Sequence, residues 1–509
     1  MTWTSPDGAS SALTGRRMAF ALALVAAGGA LLRAAPLLAP GGGLAIDVNY
    51  DEGAYLTGSA LLARGILPYR DFVFVHPPGL LLFLLPITAP AHADPATFLT
   101  AARLLAVALG ALTIVLVGIV TQRAFGPLAG LAAALLYATH PETVHEDRGP
   151  FLEPLLNLLC LGMAAVWLNR RDGRVSPGRA LAAGALLGAA FGVKLWAAIW
   201  LLGALATLPR EGRARAAAGF LLGTAAGAAL VIVPFAAADP AGFLAQVVGF
   251  QRLRQSQGVA SLGLRVGHMA AMSALAIPAV VVALSRWRDT TPAGKLFTTV
   301  YLLTVASFLV SAVYFLRYTS YLAASSSALG GFTIAWLDER VRRRKRALGK
   351  RPATLTLAVL LTATLCQSAA AFVNSLRYVS PWQLELRETL RSRVPGEACL
   401  LALEPGWGLL GGRLPSYAGR WKGAVDPHAW MVLSRLGGED RILLEGSAAP
   451  PGEPQEELRA LLGGCRFLIV GGWGLSDETR DWLARSWIRR FPPFPAEGPD
   501  LWERAATSP

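Results

Sequence analysis

Apolar runs of membrane-spanning length recur through residues 1–375 of this 509-residue chain. A run of about 20 apolar residues crosses a bilayer as a helix, because lipid offers no hydrogen-bond partner to an exposed backbone. With 54% hydrophobic and only 16% charged residues, the chain carries more apolar surface than one soluble core can bury. The sequence therefore predicts an α-helical polytopic membrane protein.

Residues 1–375 are predicted to contain about eleven transmembrane helices, several of them short. They lie near 18–38, 98–122, 127–139, 153–169, 180–193, 195–208, 216–236, 268–285, 296–313, 318–336 and 354–373. The first run follows Arg16 and Arg17, as the apolar core of a secretory signal peptide does, but it has the length of a full span. We therefore expect it to be retained as a helix.

Basic residues cluster in alternate short loops between the apolar runs. The densest cluster is DERVRRRKRALGKR, at 338–351. Loops rich in Lys and Arg stay on the cytoplasmic side, so the loop at 40–97 and the segment after Arg377 are expected outside. The net charge of +14 is then explained by membrane topology, and no nucleic acid is expected as a partner.

Residues 376–509 differ in character from the apolar part and predict a small external α/β domain. EACLLALEP and CRFLIVGGW have the pattern of short buried strands, whereas EELRALL and DETRDWLARSWI have helical spacing. Cys399 and Cys465 stand at the starts of the two strands. An oxidising compartment would permit a disulfide between them, and two free buried thiols are the open alternative.

The loop at 40–97 carries two adjacent acids, Asp51 and Glu52, in the stretch VNYDEGAY. Long loops of this kind are usually functional. Neighbouring residues on a helix point about 100° apart, so the two acids are not expected to share one proton. Two interpretations stay open. One acid faces a reaction centre while the other holds a metal, a base or the fold, or both simply stabilise the helix dipole.

The same loop continues as RGILPYRDFVFVHPPG, where prolines fix the backbone around Tyr69, Arg70 and His76. An acid pair after the first helix, then GILPYRDF, then HPPG, resembles the membrane glycosyltransferases of the GT-C fold. Within that fold the chain looks like the family of protein O-mannosyltransferases and lipid A aminoarabinose transferases, in its bacterial, dolichyl-phosphate-mannose-protein mannosyltransferase-like form.

Further motifs fit the same family. HPETVHEDRGPFLEP is similar to its second external loop, where an Arg precedes an acid at a helix start, here Arg148 and Glu153. GAAFGVKLWA resembles the site of a Lys at the external end of a helix, here Lys194. YFLRYTSYLA resembles a late helix start, with Arg317 and Tyr318 where family members often carry His-Tyr.

The resemblance implies transfer of one sugar, with inversion, from a polyprenyl-phosphate-linked donor to a glycolipid, glycan or protein hydroxyl. The reaction would take place on the external face of the bacterial inner membrane, among membrane lipids. Asp51 is the expected catalytic base, with Glu52 in support. The residues expected to bind the donor and its phosphate are Tyr69, Arg70, His76, Arg148, Glu153, Lys194, Arg317 and Tyr318. Arg148, Lys194 and Arg317 could each instead be interfacial side chains that snorkel to lipid headgroups.

No cofactor is assigned from the sequence. Five residues are dense enough to suggest a divalent metal, namely His140, Glu142, His145, Glu146 and Asp147, of which His140, His145 and Glu146 are the weak ligand candidates. They lack a tight ligand spacing such as HExxH, and a polar loop is the alternative. A lipid or polysaccharide transporter or flippase is the alternative function, because charges such as Lys194 line substrate pathways in transporters. The sequence shows no pair of related halves, which favours the enzyme.

Overall fold

The computed structural model describes most of the chain, which divides into two compact units. The described residues are 12–38, 41–90, 94–170, 174–253, 260–347, 355–376, 382–396, 398–414, 425–434, 465–471, 477–491 and 499–504. The first unit comprises Met1–Ala35, Leu104–Val231 and Ala260–Arg377. The second unit comprises Pro36–Arg103, Ile232–Val259 and Tyr378–Pro509.

Helices dominate both units. In chain order the α-helices are α1 (Ala12–Ala34), α2 (Tyr50–Leu62), α3 (Gly79–Thr88), α4 (Pro95–Phe125), α5 (Pro127–Thr139), α6 (Pro141–Glu146), α7 (Leu152–Trp167), α8 (Pro177–Val193), α9 (Ala197–Leu205), α10 (Arg213–Ala236), α11 (Pro240–Leu244), α12 (Phe250–Leu253), α13 (Leu262–Ser273), α14 (Ile277–Ser285), α15 (Pro292–Val310), α16 (Thr319–Ala347), α17 (Leu355–Leu376), α18 (Trp382–Arg393), α19 (Pro405–Leu410), α20 (Pro427–Ser434) and α21 (Asp477–Ser486).

The predicted α-helical membrane architecture is confirmed. Among the described residues, five segments are long and apolar enough to cross a membrane: Gly15–Leu38, Pro95–Phe125, Arg213–Ala236, Leu262–Ser285 and Pro292–Val310. Shorter apolar helices include α5, α7 and α8, which coincide with predicted spans. The number of spans, about eleven, stays a prediction.

Two helices differ from their predicted form. The helix predicted at 268–285 begins at Leu262 and is interrupted by a 3₁₀ turn at Ala274–Ala276, just before Pro278, whose ring removes a backbone N–H. The helix predicted to end at 336 continues to residue 347, through part of the basic cluster. Its added turns carry ion pairs at i, i+4 spacing, Asp338 to Arg342 at 2.5 Å and Glu339 to Arg343 at 2.6 Å, which favour helix.

In the first unit, α8 and α10 run parallel at very short separation. The Cα atoms of Gly223 and Gly227 face the carbonyl oxygens of Leu181 and Ala185 so closely that a β-carbon at either glycine would overlap them. Gly219 faces the Pro177 carbonyl, where a β-carbon would lie 3.4 Å away. Small residues permit such close helix packing in membranes. Because the contacts advance in the same direction on both helices, α8 and α10 begin at the same end.

The second unit contains a four-stranded sheet of strand order β1-β2-β4-β3, which confirms the predicted small α/β region. Its strands are β1 (Leu400–Ala402), β2 (Phe467–Val470), β3 (Trp487–Phe491) and β4 (Asp500–Arg504). β1 pairs with β2 in parallel, and the other neighbours are antiparallel. The two predicted strands are thus adjacent, and a disulfide joins Cys399 to Cys465, whose Cα atoms lie 4.7 Å apart.

The sequence did not anticipate β3 and β4. The helix predicted over DETRDWLARSWI ends at Ser486, and Trp487 begins β3. The helix predicted at EELRALL lies outside the described residues. The domain division at residue 375 also stays a prediction. Pro36–Arg103 belongs to the same compact unit as Tyr378–Pro509.

Two glycines allow α2 to contact the segment that begins α19. A β-carbon on Gly53 would overlap the backbone of Gly406, and a β-carbon on Gly406 would overlap the side chain of Val48. Ala54 and Tyr55, which follow Gly53, are buried. The start of α2 is therefore fixed by backbone contact rather than by long side chains.

We expect Gly53→Ala to destabilise the second unit by about 1–3 kcal/mol, because a well-packed backbone contact must open to admit the methyl group. The measurement is the melting temperature of the purified protein in detergent. Gly396→Ala is the matched control, since among the described residues, its chain neighbours aside, no atom lies within 4 Å of a β-carbon there. Equal melting temperatures for the two variants would contradict the role assigned to Gly53.

Candidate functional site

The predicted acid pair lies in the first turn of α2. Asn49 caps this helix, and its side-chain oxygen accepts a hydrogen bond from the Asp51 backbone N–H at 3.0 Å. The two neighbouring acids differ in burial. Glu52 is buried, with 2% of its surface exposed, and Asp51 is half-buried.

Glu52 forms a buried ion pair with Arg103. The Nε and Nη2 atoms of Arg103 donate to the two Glu52 carboxylate oxygens, at 2.7 and 2.6 Å. The same guanidinium donates to the backbone carbonyls of Gly43, Ile46 and Asp47. Glu52 thus ties the start of α2 to the 43–47 segment, and both of its oxygens are occupied by Arg103.

Arg103 was not predicted as a site residue because it lies within an apolar run that predicted only a transmembrane helix. A lone arginine in an apolar helix needs a partner, and that requirement was the signal available.

Tyr50, beside Asp51, anchors α2 to the start of α20. Its hydroxyl donates to Asp426 Oδ1 at 2.6 Å and accepts from the His428 backbone N–H at 3.2 Å. Burial first, and the nearby Asp426 second, raise the pKa of Tyr50 well above its usual range, so the phenol stays a neutral donor. Asp51 is therefore flanked on both sides by residues with fixed positions.

The predicted donor-binding residues Tyr69, Arg70 and His76 lie in one ordered loop of the second unit. Tyr69 has a positive φ of 72° and is buried, and its hydroxyl donates to the His76 carbonyl at 2.7 Å. Gln246 Nε2 donates to the Tyr69 carbonyl at 2.9 Å. A tyrosine with positive φ is strained, and such strain is held only by surrounding contacts. Tyr69 therefore shapes this loop.

Arg70 is half exposed and pairs with its neighbour Asp71 at 2.7 Å. Hydrogen bonds from Arg70 lower the pKa of Asp71. The His76 ring meets Tyr55 and Phe74 edge to face, with ring centroids 6.0 and 6.1 Å apart. The side chains of Arg70 and His76 thus lie in different surroundings, one on the surface and one among aromatic rings.

The first unit brings together Glu153, Lys194 and Tyr318. Lys194 Nζ lies 2.5 Å from Glu153 Oε1, 3.6 Å from the centroid of the Trp196 ring and 5.3 Å from that of Tyr318. Trp196 in turn meets Tyr318 edge to face at 4.8 Å. The Lys194 ammonium is thus held by one carboxylate and two aromatic faces, a setting suited to a second anion.

Arg148 and Arg317 belong to a second charged group in the first unit, around α6. Arg148 is buried, and Arg317 lies 5.9 Å from the ring centroid of Phe151, which also stacks on His145. Burial raises the pKa of Glu142, and Arg317 and Arg148 are among the charges that oppose this rise. The two arginines therefore share one electrostatic environment with an acid.

Of the weak metal candidates, His145 and Glu146 are paired, with His145 Nδ1 at 3.1 Å from Glu146 Oε1. His140 is buried, and neither ring nitrogen has a hydrogen-bond partner among the described residues. Burial lowers the pKa of His140 to about 3, so this ring is neutral. No three His, Cys, Asp or Glu side chains in the described part of the chain are arranged as a metal site.

A buried ion pair that the sequence did not predict fixes the turn before Arg148. Arg33, fully buried in α1, donates from Nε to Asp147 Oδ2 at 2.9 Å. It also donates to the Ala138 carbonyl at 2.8 Å and to the Thr143 hydroxyl at 3.1 Å. Arg33 thus fixes the corner between α5 and α6.

Comparison with solved structures identifies the fold. ArnT from Cupriavidus metallidurans, bound to undecaprenyl phosphate, matches with a TM-score of 0.65 and 12% identity over 98% of this chain and 99% of that one. The Archaeoglobus fulgidus oligosaccharyltransferase in its apo form matches with a TM-score of 0.62 and 11% identity over 91% and 70%. The archaeal oligosaccharyltransferase AglB of the same organism, in complex with an inhibitory peptide and a dolichol-phosphate, matches with a TM-score of 0.59 and 11% identity over the same shares.

ArnT, an aminoarabinose transferase, and AglB are both GT-C fold membrane glycosyltransferases. The chain therefore has the GT-C fold, and the predicted fold is confirmed. No protein-family model and no curated protein sequence matches the chain.

We expect Arg103→Gln to destabilise the second unit by about 3–5 kcal/mol, because it leaves the buried Glu52 carboxylate without its cation. Thermal unfolding in detergent measures the change. Arg70→Gln is the control, because it makes the same substitution in an exposed ion pair. It should lower the free energy of unfolding by about 0–1 kcal/mol. A similar loss of stability in both variants would show that the Arg103 pair has no special role.

Proposed function

We propose that the chain is a glycosyltransferase of the bacterial inner membrane. It transfers one hexosyl or pentosyl group, with inversion, from a polyprenyl-phosphate-linked donor to a glycolipid, glycan or protein hydroxyl on the external side. The observation that carries the proposal is the fold shared over 98% of the chain with ArnT bound to undecaprenyl phosphate. A shared fold alone does not define a reaction, so the assignment also rests on the residues of both units.

Asp51 is the proposed base. Both oxygens of Glu52 accept hydrogen bonds from Arg103, so Glu52 supports the helix start while Asp51 takes the proton of the acceptor hydroxyl. The acceptor oxygen then attacks the anomeric carbon from the face opposite the phosphate. The bond between that carbon and the phosphate oxygen breaks, and the polyprenyl phosphate leaves with its electron pair.

Fixed cations would stabilise the departing phosphate. Lys194 is held by Glu153 and lies over the Trp196 ring, so its ammonium is positioned before any donor arrives. Arg148 and Arg317 would add the planar donors that suit phosphate oxygens. Tyr318 would contribute an aromatic wall beside Lys194.

In the second unit, Tyr69 would shape the donor loop through its bond to His76, and Arg70 would contact the donor at the surface.

The test is reconstitution of the purified protein into liposomes with a panel of labelled polyprenyl-phosphate sugars and candidate acceptors. Mass spectrometry of the products shows whether a sugar becomes covalently attached to an acceptor. A donor that crosses the bilayer without any new glycosidic bond would identify a flippase and overturn the proposal. Parallel reactions with a chelator report whether a divalent metal is required.

We expect Asp51→Asn to lower the turnover rate by about 10²–10⁴-fold, because an amide cannot accept the acceptor proton. Initial rates with a donor identified in the panel measure the change, and an unchanged melting temperature shows that the fold is intact. The matched control is Asp239→Asn, another half-buried aspartate at a helix start, whose capping bond to Gly242 an asparagine can keep. Near-normal transfer by Asp51→Asn would remove Asp51 as the base.

Lys194→Gln should raise the donor KM or lower kcat by about 10-fold or more, since a hydrogen bond to a charged group is lost. Steady-state kinetics with varied donor separate the two effects. Lys295→Gln is the control, because Lys295 also lies near a tryptophan ring, that of Trp287, at 5.7 Å. Equal kinetics for the two variants would contradict phosphate binding by Lys194.

A further inference from the structure

A basic cavity lies where α8 and α10 begin, in the first unit, and the proposed sugar transfer does not use it. Its volume is about 680 Å³. The charged residues that line it are Arg174, Arg179, Glu211 and Arg215. Three arginines against one glutamate leave an excess of two positive charges in the lining, which suits an anion.

The arginines occupy different positions around the cavity. Arg174 Nε donates to Glu211 Oε2 at 2.7 Å, which links the segment before α8 to the segment before α10. Arg179 is half-buried, and its Nη1 donates to the Asn169 carbonyl at 2.9 Å. Arg215 is exposed. The cavity thus combines one arginine paired with an acid and two that have no acid within ion-pair distance among the described residues.

Two helix starts add to the positive potential. Because α8 and α10 run parallel, the positive ends of both helix dipoles lie at the same end, although Ser176 caps the Arg179 N–H of α8. Neither first turn contains an acid, and instead Arg179 and Arg215 lie there. Cations at a helix start oppose the helix dipole. A bound anion would relieve that opposition on both helices at once.

Both helices carry exposed leucines beyond the first turns that border the cavity. Leu181, one turn into α8, is 43% exposed, and Leu221 and Leu222 of α10 are 45% and 64% exposed. α10 is also one of the segments long enough to span a membrane. A phosphate in the cavity would therefore lie at the end of two helices that carry exposed leucines further along, where acyl chains could pack.

We propose that this cavity binds the phosphate group of an anionic membrane phospholipid. Arg179 and Arg215 hold the phosphate oxygens, and the leucines of α8 and α10 contact the acyl chains. The predicted topology places this end of the helices at the cytoplasmic leaflet, so the lipid site would be separate from the external donor site.

The test is native mass spectrometry of the full chain in a neutral detergent, titrated with phosphatidylglycerol or phosphatidylcholine. We expect preferential binding of phosphatidylglycerol, and a loss of about 10-fold in its affinity in the double variant Arg179→Gln/Arg215→Gln. The matched control is Arg210→Gln/Arg213→Gln, which removes the same charge from neighbouring positions that do not line the cavity. Arg179→Lys/Arg215→Lys keeps the charge and should keep most of the binding.

The outcomes decide between lipid and free phosphate. Inorganic phosphate, added as a competitor, should displace the lipid weakly or not at all. If inorganic phosphate alone binds as tightly as phosphatidylglycerol, the site is a phosphate site and the lipid assignment fails. Equal binding of the two lipids, or equal losses in the cavity and control variants, would also overturn the proposal.

Discussion

A buried guanidinium is costly unless its donors are satisfied, and two fully buried arginines of this chain satisfy theirs largely with partners far away in sequence. In the second unit, Arg103 donates hydrogen bonds to the Glu52 carboxylate and to three backbone carbonyls. In the first unit, Arg33 donates hydrogen bonds to the Asp147 carboxylate, a threonine hydroxyl and two backbone carbonyls. Removing either partner would leave an uncompensated charge in a low-dielectric interior, which is among the most costly defects a protein can carry. The loops that carry candidate catalytic residues are therefore each held by one fully buried arginine, Arg103 of α4 or Arg33 of α1.

This arrangement assigns different tasks to residues of the same type. Glu52 and Glu153 are both acids near helix starts, but Glu52 is saturated by an arginine while Glu153 holds a lysine that also faces aromatic rings. A guanidinium whose N–H donors are all bonded to the protein has a structural role. A lysine ammonium can rotate, so it can bind a second anion in addition to its carboxylate partner. In the proposed function, Asp51 and Lys194 would act on the substrates, whereas Glu52 and Glu153 would have supporting roles.

The sequence predicted the helical membrane fold because spanning length and apolar composition are local properties. It also predicted β1 and β2, which are short apolar runs. It missed β3, since WIRRF carries two arginines and continues the spacing of the preceding helix. The partners of Arg103 and Arg33 lie 51 and 114 residues away, and no local pattern encodes such pairing. The positive φ of Tyr69 could not be predicted either, because two of the contacts that hold this residue come from the distant Gln246 and Phe243.

The disulfide between Cys399 and Cys465 has a consequence for how this protein can change over evolutionary time. It joins the starts of two parallel strands that are 66 residues apart. The strands need only their own pairing and this bond to stay in register. Loop-closure entropy grows slowly with length, by about 0.6 kcal/mol per doubling. Insertions and deletions between the two cysteines that leave β1, α19 and α20 intact should therefore be tolerated, so the length of this stretch can change while the sheet persists.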